Sequence, residues 1–105
     1  MAVLQVAQFR ITPGRNQEFN ANAAKAKNIH ERLGAQVRVW AAVVAGPNTG
    51  LVTYSMQHQD WASYASFNEK LVADSEWQQF VANVIQRPDP SGVLQSAALL
   101  NEVPL

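Results

Sequence analysis

The chain has 105 residues, no cysteine, 15% charged residues and a formal net charge of zero. That length fits one domain, residues 1–105, able to bury about two-thirds of the surface its unfolded form exposes. Without cysteine there are no disulfides, thiolate nucleophiles or cysteine-ligated zinc, and with no basic cluster denser than Lys25-Ala26-Lys27 nucleic acid is not expected as a partner.

The charged fraction is low against the roughly 25% typical of globular domains, whereas 48% hydrophobic is ordinary. A surface poor in charge favours burial against a partner. No apolar run of about 18 residues occurs, and Gln5 and Gln8 interrupt the start of the chain too early for a secretory segment. The expectation is a soluble cytoplasmic protein with no membrane partner.

Ala2 to Ile11 reads as a first strand, with Val3, Ala7, Phe9 and Ile11 on one parity and Leu4, Val6, Gln8 and Arg10 on the other. Thr12 is placed to cap a helix beginning at Pro13, whose apolar stripe runs through Phe19, Ala23, Ala26, Ile29 or His30, and Leu33. Gly34 closes it.

Val37 to Val44 and Leu51 to Met56 are β-branched and aromatic runs flanking Gly46-Pro47-Asn48-Thr49-Gly50, the pattern of a hairpin with a five-residue turn. With Ala45 opposite Leu51, Trp40 faces Met56, Ala42 faces Tyr54 and Arg38 faces His58. One sheet face then carries Arg38, Trp40, Tyr54, Met56 and His58. The other carries Val37, Val39 and Ala41 with Thr53, Ser55 and Gln57. A slip by one residue would exchange the faces of either strand.

Asp60 is the expected cap of a second helix carrying Trp61, Tyr64, Phe67 or Asn68, and Leu71. Ser75 with Gln78 has capping-box form, which predicts a break near position 74, and Trp77, Phe80, Val81 and Val84 continue the stripe. Gln86 to Gly92 is a loop by its prolines and glycine. Val93 to Val103 is a last strand with neither face polar, so it needs cover on both sides.

The order strand, helix, strand, strand, helix, strand predicts a ferredoxin-like βαββαβ α+β fold. Its four-stranded antiparallel sheet has strands one and three central and two and four at the edges. Helices suffice to cover one face. The aromatic and apolar residues of the other call for a second copy, a homodimer.

Phe9-Arg10-Ile11-Thr12-Pro13-Gly14-Arg15 with Glu18-Phe19, and Asp74-Ser75-Glu76-Trp77-Gln78-Gln79-Phe80, resemble the Pro-Gly-basic helix entry and the Trp-containing segment of the dimeric α+β barrel superfamily. The chain is most similar to its NIPSNAP-like members, then to the antibiotic-biosynthesis monooxygenase-like ones. The resemblance implies two four-stranded sheets closed into a barrel across a dimer, with a cavity between them. Monooxygenase-like members often carry a histidine in the helical segment after strand three, whereas no histidine here follows His58.

His58 and Tyr54 are the candidate catalytic residues, as a base or proton donor and a hydroxyl beside a cation. Gln8, Arg10, Arg38, Trp40 and Met56 are the candidate ligand-binding residues, an aromatic and apolar wall with a few polar groups. Plainer roles compete: His58 as a solvated strand end, His30 as a surface or structural group, Trp40, Tyr54 and Met56 as dry dimer core. Two histidines so far apart, with no clustered carboxylates, give no metal spacing, and no cofactor fingerprint occurs.

Three functions fit. The first is binding of a small apolar or aromatic ligand between paired sheets. The alternatives are a cofactor-free monooxygenase-like or decarboxylase-like enzyme, with His58, Tyr54 and Arg38 or Arg10 in the acid/base and anion-holding roles, and a purely structural assembly protein.

Overall fold

In a computed structural model describing residues 1–105, four strands form one antiparallel sheet in the order β2-β3-β1-β4. The strands are β1 (Val3–Ile11), β2 (Gln36–Ala41), β3 (Val52–His58) and β4 (Gly92–Asn101). Helices α1 (Asn16–Arg32), α2 (Trp61–Ala73) and α3 (Ser75–Phe80) lie on one side. The arrangement is ferredoxin-like α+β, with β1 and β3 central as expected.

Two of the helices, α1 and α3, start later, or from another cap, than their local sequence suggests. Thr12 does not cap α1: its hydroxyl donates to the Pro90 carbonyl at 2.7 Å and its N–H to Ser91 O at 2.8 Å, stitching the end of β1 to the loop before β4. The helix therefore starts at Asn16, with no side-chain cap. Gly34 does close it, at φ 110°, a conformation that costs glycine little.

Asp60 caps α2 through a 2.8 Å bond from Ser63 N–H. The break at 74 is real, but Asp74 rather than Ser75 is the cap of α3, accepting from Trp77 N–H at 2.9 Å. The Asp74 carboxylate also meets Arg32 at 2.9 Å, which ties the break to the end of α1. Beyond Phe80 the helix widens into a π turn, Val81–Ile85.

The hairpin differs most from expectation. Ala42 N–H donates to Leu51 O at 2.9 Å and Gly50 N–H to Ala42 O at 2.8 Å, so the ladder ends at Ala42 and Leu51. Val43 to Gly50 then leave the sheet as a loop around a short 3₁₀ turn, Gly46–Asn48. Val43 and Val44 are solvent-exposed there instead of extending β2.

The partner of Trp40 is consequently Thr53, not Met56, and that of Arg38 is Ser55, not His58. Each strand keeps its own alternation, but an odd slip exchanges which parities share a face. Val37 and Val39 now join Met56 and Tyr54 toward the helices, while Arg38 and Trp40 join Ser55 and Thr53 on the open side. This register segregates apolar from polar residues better than the expected one. Val37 is buried with Ala35 and Phe67, and Met56 packs against the same cluster.

The core is thin. Only 13 of 105 residues are buried, chiefly Val3, Ile29, Val37 and Phe67, with Phe19 seated on Gly92 at the start of β4. The molecule is a slab of 39 × 37 × 18 Å, one sheet plus one helical layer. It exposes 6802 Å², about 1,000 Å² more than the about 5,800 Å² that mass scaling gives for a folded chain of this size.

Candidate functional site

The register divides the expected site between two places. Gln8, Arg10, Arg38 and Trp40 stand on the open face of the sheet. Tyr54, Met56 and His58 point the other way, into the layer beneath the helices. The single wall of Trp40, Tyr54 and Met56 read from the sequence does not form, because Trp40 is paired with Thr53.

The open face is a grid. Across β2, β3, β1 and β4 its rows are Gln36, Gln57, Leu4, Leu100; then Arg38, Ser55, Val6, Ala98; then Trp40, Thr53, Gln8, Ser96. Arg10 beside Val93 completes it beyond the β4 bulge, which makes Gln95 the extra residue between Leu94 and Ser96. The β1–β4 half is apolar in its first two rows, whereas the β2–β3 half is polar with one indole.

A cavity of about 310 Å³ opens over Leu4, Val6, Gln36, Arg38, Trp40, Thr53, Ser55 and Gln57. Trp40 is 54% exposed, yet its indole is held: Nε1 donates to Ser55 Oγ at 3.3 Å, and that hydroxyl donates to the Arg38 carbonyl at 3.2 Å. At the other end Ser96 Oγ donates to Gln8 Oε1 at 2.9 Å. Gln36, Ser55, Thr53 and Gln57 were not among the sequence candidates. Their alternation was visible, but only the cross-strand register brings them to this face.

Under the helices lies a second polar group. Tyr54 Oη meets His30 Nδ1 at 2.6 Å, and His58 Nε2 meets Gln5 Oε1 at 2.9 Å. Both histidines are almost fully buried, at 4% and 3% exposure. The rings of Phe67 and Trp77 flank His30, and Phe67 and Tyr64 flank His58. Burial, aided by the His58 charge, pushes His30 down to about 4, and burial also lowers His58. Both rings are neutral at pH 7, and burial pushes the Tyr54 hydroxyl far up, so it keeps its proton.

His30 had no stronger expectation than a structural or surface role at the margin of the α1 stripe. The structure makes it the inward ligand of Tyr54, and no local signal in the sequence pairs residues so far apart. Arg38, expected beside His58, is instead separated from it by the thickness of the sheet.

The NIPSNAP family model matches residues 4–87. The chain belongs to the NIPSNAP family. Solved structures similar to this NIPSNAP chain include an uncharacterized NIPSNAP domain protein from Burkholderia xenovorans, 20% identical over 96% of this chain and 94% of that one, with a TM-score of 0.70. A NIPSNAP family protein from Agrobacterium tumefaciens is 16% identical over 100% and 94% of the two chains, with a TM-score of 0.69. A putative antibiotic biosynthesis monooxygenase from Bordetella bronchiseptica follows at 17% identity over 98% of each chain and a TM-score of 0.63. At these identities the likeness is one of fold. No curated protein matches the NIPSNAP chain in sequence.

Proposed function

We propose that this NIPSNAP protein works as a homodimer in which two sheets meet open face to open face and enclose a small apolar or aromatic ligand. The observation that carries it is the uncovered sheet face with its cavity beside Arg38 and Trp40. The roughly 1,000 Å² of excess surface is of the size that one partner contributes to a standard interface, about 800 Å². The edge strand adds to this, since Val93, Leu94, Leu99 and Leu100 are all about half exposed, on both of its faces.

Native mass spectrometry of the purified protein tests both parts at once. A dimer carrying extra mass is expected, and a monomer at micromolar concentration overturns the proposal. A bare dimer shifts the balance to a packed assembly without a ligand.

A second reading, cofactor-free monooxygenase-like or decarboxylase-like chemistry, draws support from the His30–Tyr54 couple and from the fold shared with the Bordetella protein. Tyr54 would be the proton donor, with His58 as a neutral base. The aromatic rings of Phe67 and Trp77 against His30 leave binding the better-supported role. Oxygen uptake or decarboxylation that is abolished by His58→Ala in an intact dimer would reverse that order.

A further inference from the structure

We propose that the β2–β3 half of the open face takes a planar aromatic or conjugated carboxylate, the Arg38 guanidinium holding the carboxylate and the Trp40 indole lying against the ring. This rests on the reading of that face as a ligand chamber between two copies, and adds the charge and shape of what fills it.

The first ground is the distribution of ion pairs. Of the five arginines, Arg15 pairs with Glu18 and Asp89, Arg32 with Asp74 and Glu76, and Arg87 with Glu18 and Asp89. Arg10 and Arg38 have no carboxylate partner, and both stand on the open face. None of the strand residues on that face is acidic.

A two-fold symmetric partner cannot correct this, because an isologous contact brings the same residues back. The strands of the facing sheet offer another Arg38 and no carboxylate; Glu102, just beyond the end of β4, already accepts from the Ala2 N–H of its own chain at 2.9 Å. Closing the dimer would take the guanidinium partly out of water without an opposite charge, which is costly unless an anion enters with it.

The second ground is geometry. Arg38 and Trp40 are two residues apart on one strand, so their side chains rise from the same face about 6.6 Å apart. Ser55 anchors the indole against β3 through Nε1, which leaves the ring as a fixed wall. Guanidinium and indole at that spacing suit a carboxylate and the flat system attached to it. Gln36 and Gln57, opposite each other in the next row, supply neutral amides for further polar atoms.

In each copy the cavity is lined by one cation, Arg38, among neutral donors, which fits a monoanion better than a phosphate ester, for which several cations usually converge. The cavity of about 310 Å³ has room for one or two fused rings.

Isothermal titration calorimetry with 2-naphthoate and its neutral isostere 2-naphthamide tests the assignment on the full-length protein. The expected result is saturable binding of naphthoate about tenfold or more tighter than naphthamide. Arg38→Gln should erase the preference, bringing naphthoate down to the affinity of naphthamide in the same variant, while Trp40→Ala should weaken both ligands. Circular dichroism checks that the variants remain folded.

Equal affinity for the two ligands, or a preference that survives Arg38→Gln, overturns the carboxylate assignment and leaves the chamber standing. No binding of either ligand removes the chamber and the carboxylate with it.

Discussion

His30 Nδ1 and the Tyr54 hydroxyl lie 2.6 Å apart where α1 crosses the sheet, while the other nitrogen of the same ring, Nε2, is buried with no hydrogen-bond partner. One side of the imidazole is strongly bound and the other faces apolar and aromatic surroundings. Such a ring resists protonation, and it ties the packing of the helix layer to pH.

A histidine whose folded pKa lies below its unfolded value takes up a proton on unfolding. The stability it supports is whole above about pH 6.5 and falls as pH drops toward 4. For His30 alone the loss between pH 7.5 and 4.5 is on the order of 2–3 kcal/mol, and His58 shifts in the same direction. Asp60 and Asp74 are held below 3.8, so their losses come at lower pH. Urea denaturation at the two pH values checks this, and equal stabilities would contradict it.

Tyr54→Phe removes the only hydrogen-bond partner of His30 Nδ1 without opening a large void. The expected cost is about 1–3 kcal/mol for an unsatisfied buried group. It is measurable as a lowered melting temperature at matched protein concentration. An unchanged melting point would mean that water replaces the hydroxyl.

Gly92→Ala should destabilise by about 1–3 kcal/mol through overpacking. An added Cβ would lie 2.4 Å from Phe19 Cε2 and 2.6 Å from Cδ2, and Phe19 is itself wedged against Phe9 at a ring separation of 5.8 Å. Restoration of stability by Phe19→Leu in the same chain would identify the clash as the cause.

Leu100→Lys places a charge in the apolar half of the open face, beside Leu4. It should leave the monomer fold intact, since Leu100 is 48% exposed, and convert the proposed dimer to monomer at micromolar concentration. Sedimentation velocity with circular dichroism distinguishes this from unfolding. A variant that stays dimeric would move the interface elsewhere.

Much of the fold was legible along the chain. The element order, the Asp60 cap, the break at 74 and the Gly34 stop are local matters of periodicity, capping oxygens and a positive φ. The lack of a polar side on β4 was equally readable, and in the structure its apolar residues stand about half exposed on both faces. Thr12 was misread because its hydroxyl can either accept from a helix N–H or donate to a carbonyl, and only the folded chain brings the Pro90 carbonyl within 2.7 Å.

The candidate site was legible one strand at a time. Alternation is a property of a strand by itself, so Arg38 with Trp40, Tyr54 with Met56 and His58, and Gln8 with Arg10 were grouped correctly within their own strands. Their relative phase belongs to the pairing. It was decided by the loop from Val43 to Gly50 and by the burial of Val37 under Phe67, both tertiary facts. A period of two cannot carry that phase, because both registers alternate equally well. Burial under the helices distinguishes them, and it sends Tyr54 and His58 inward and leaves Arg38 and Trp40 on the open face.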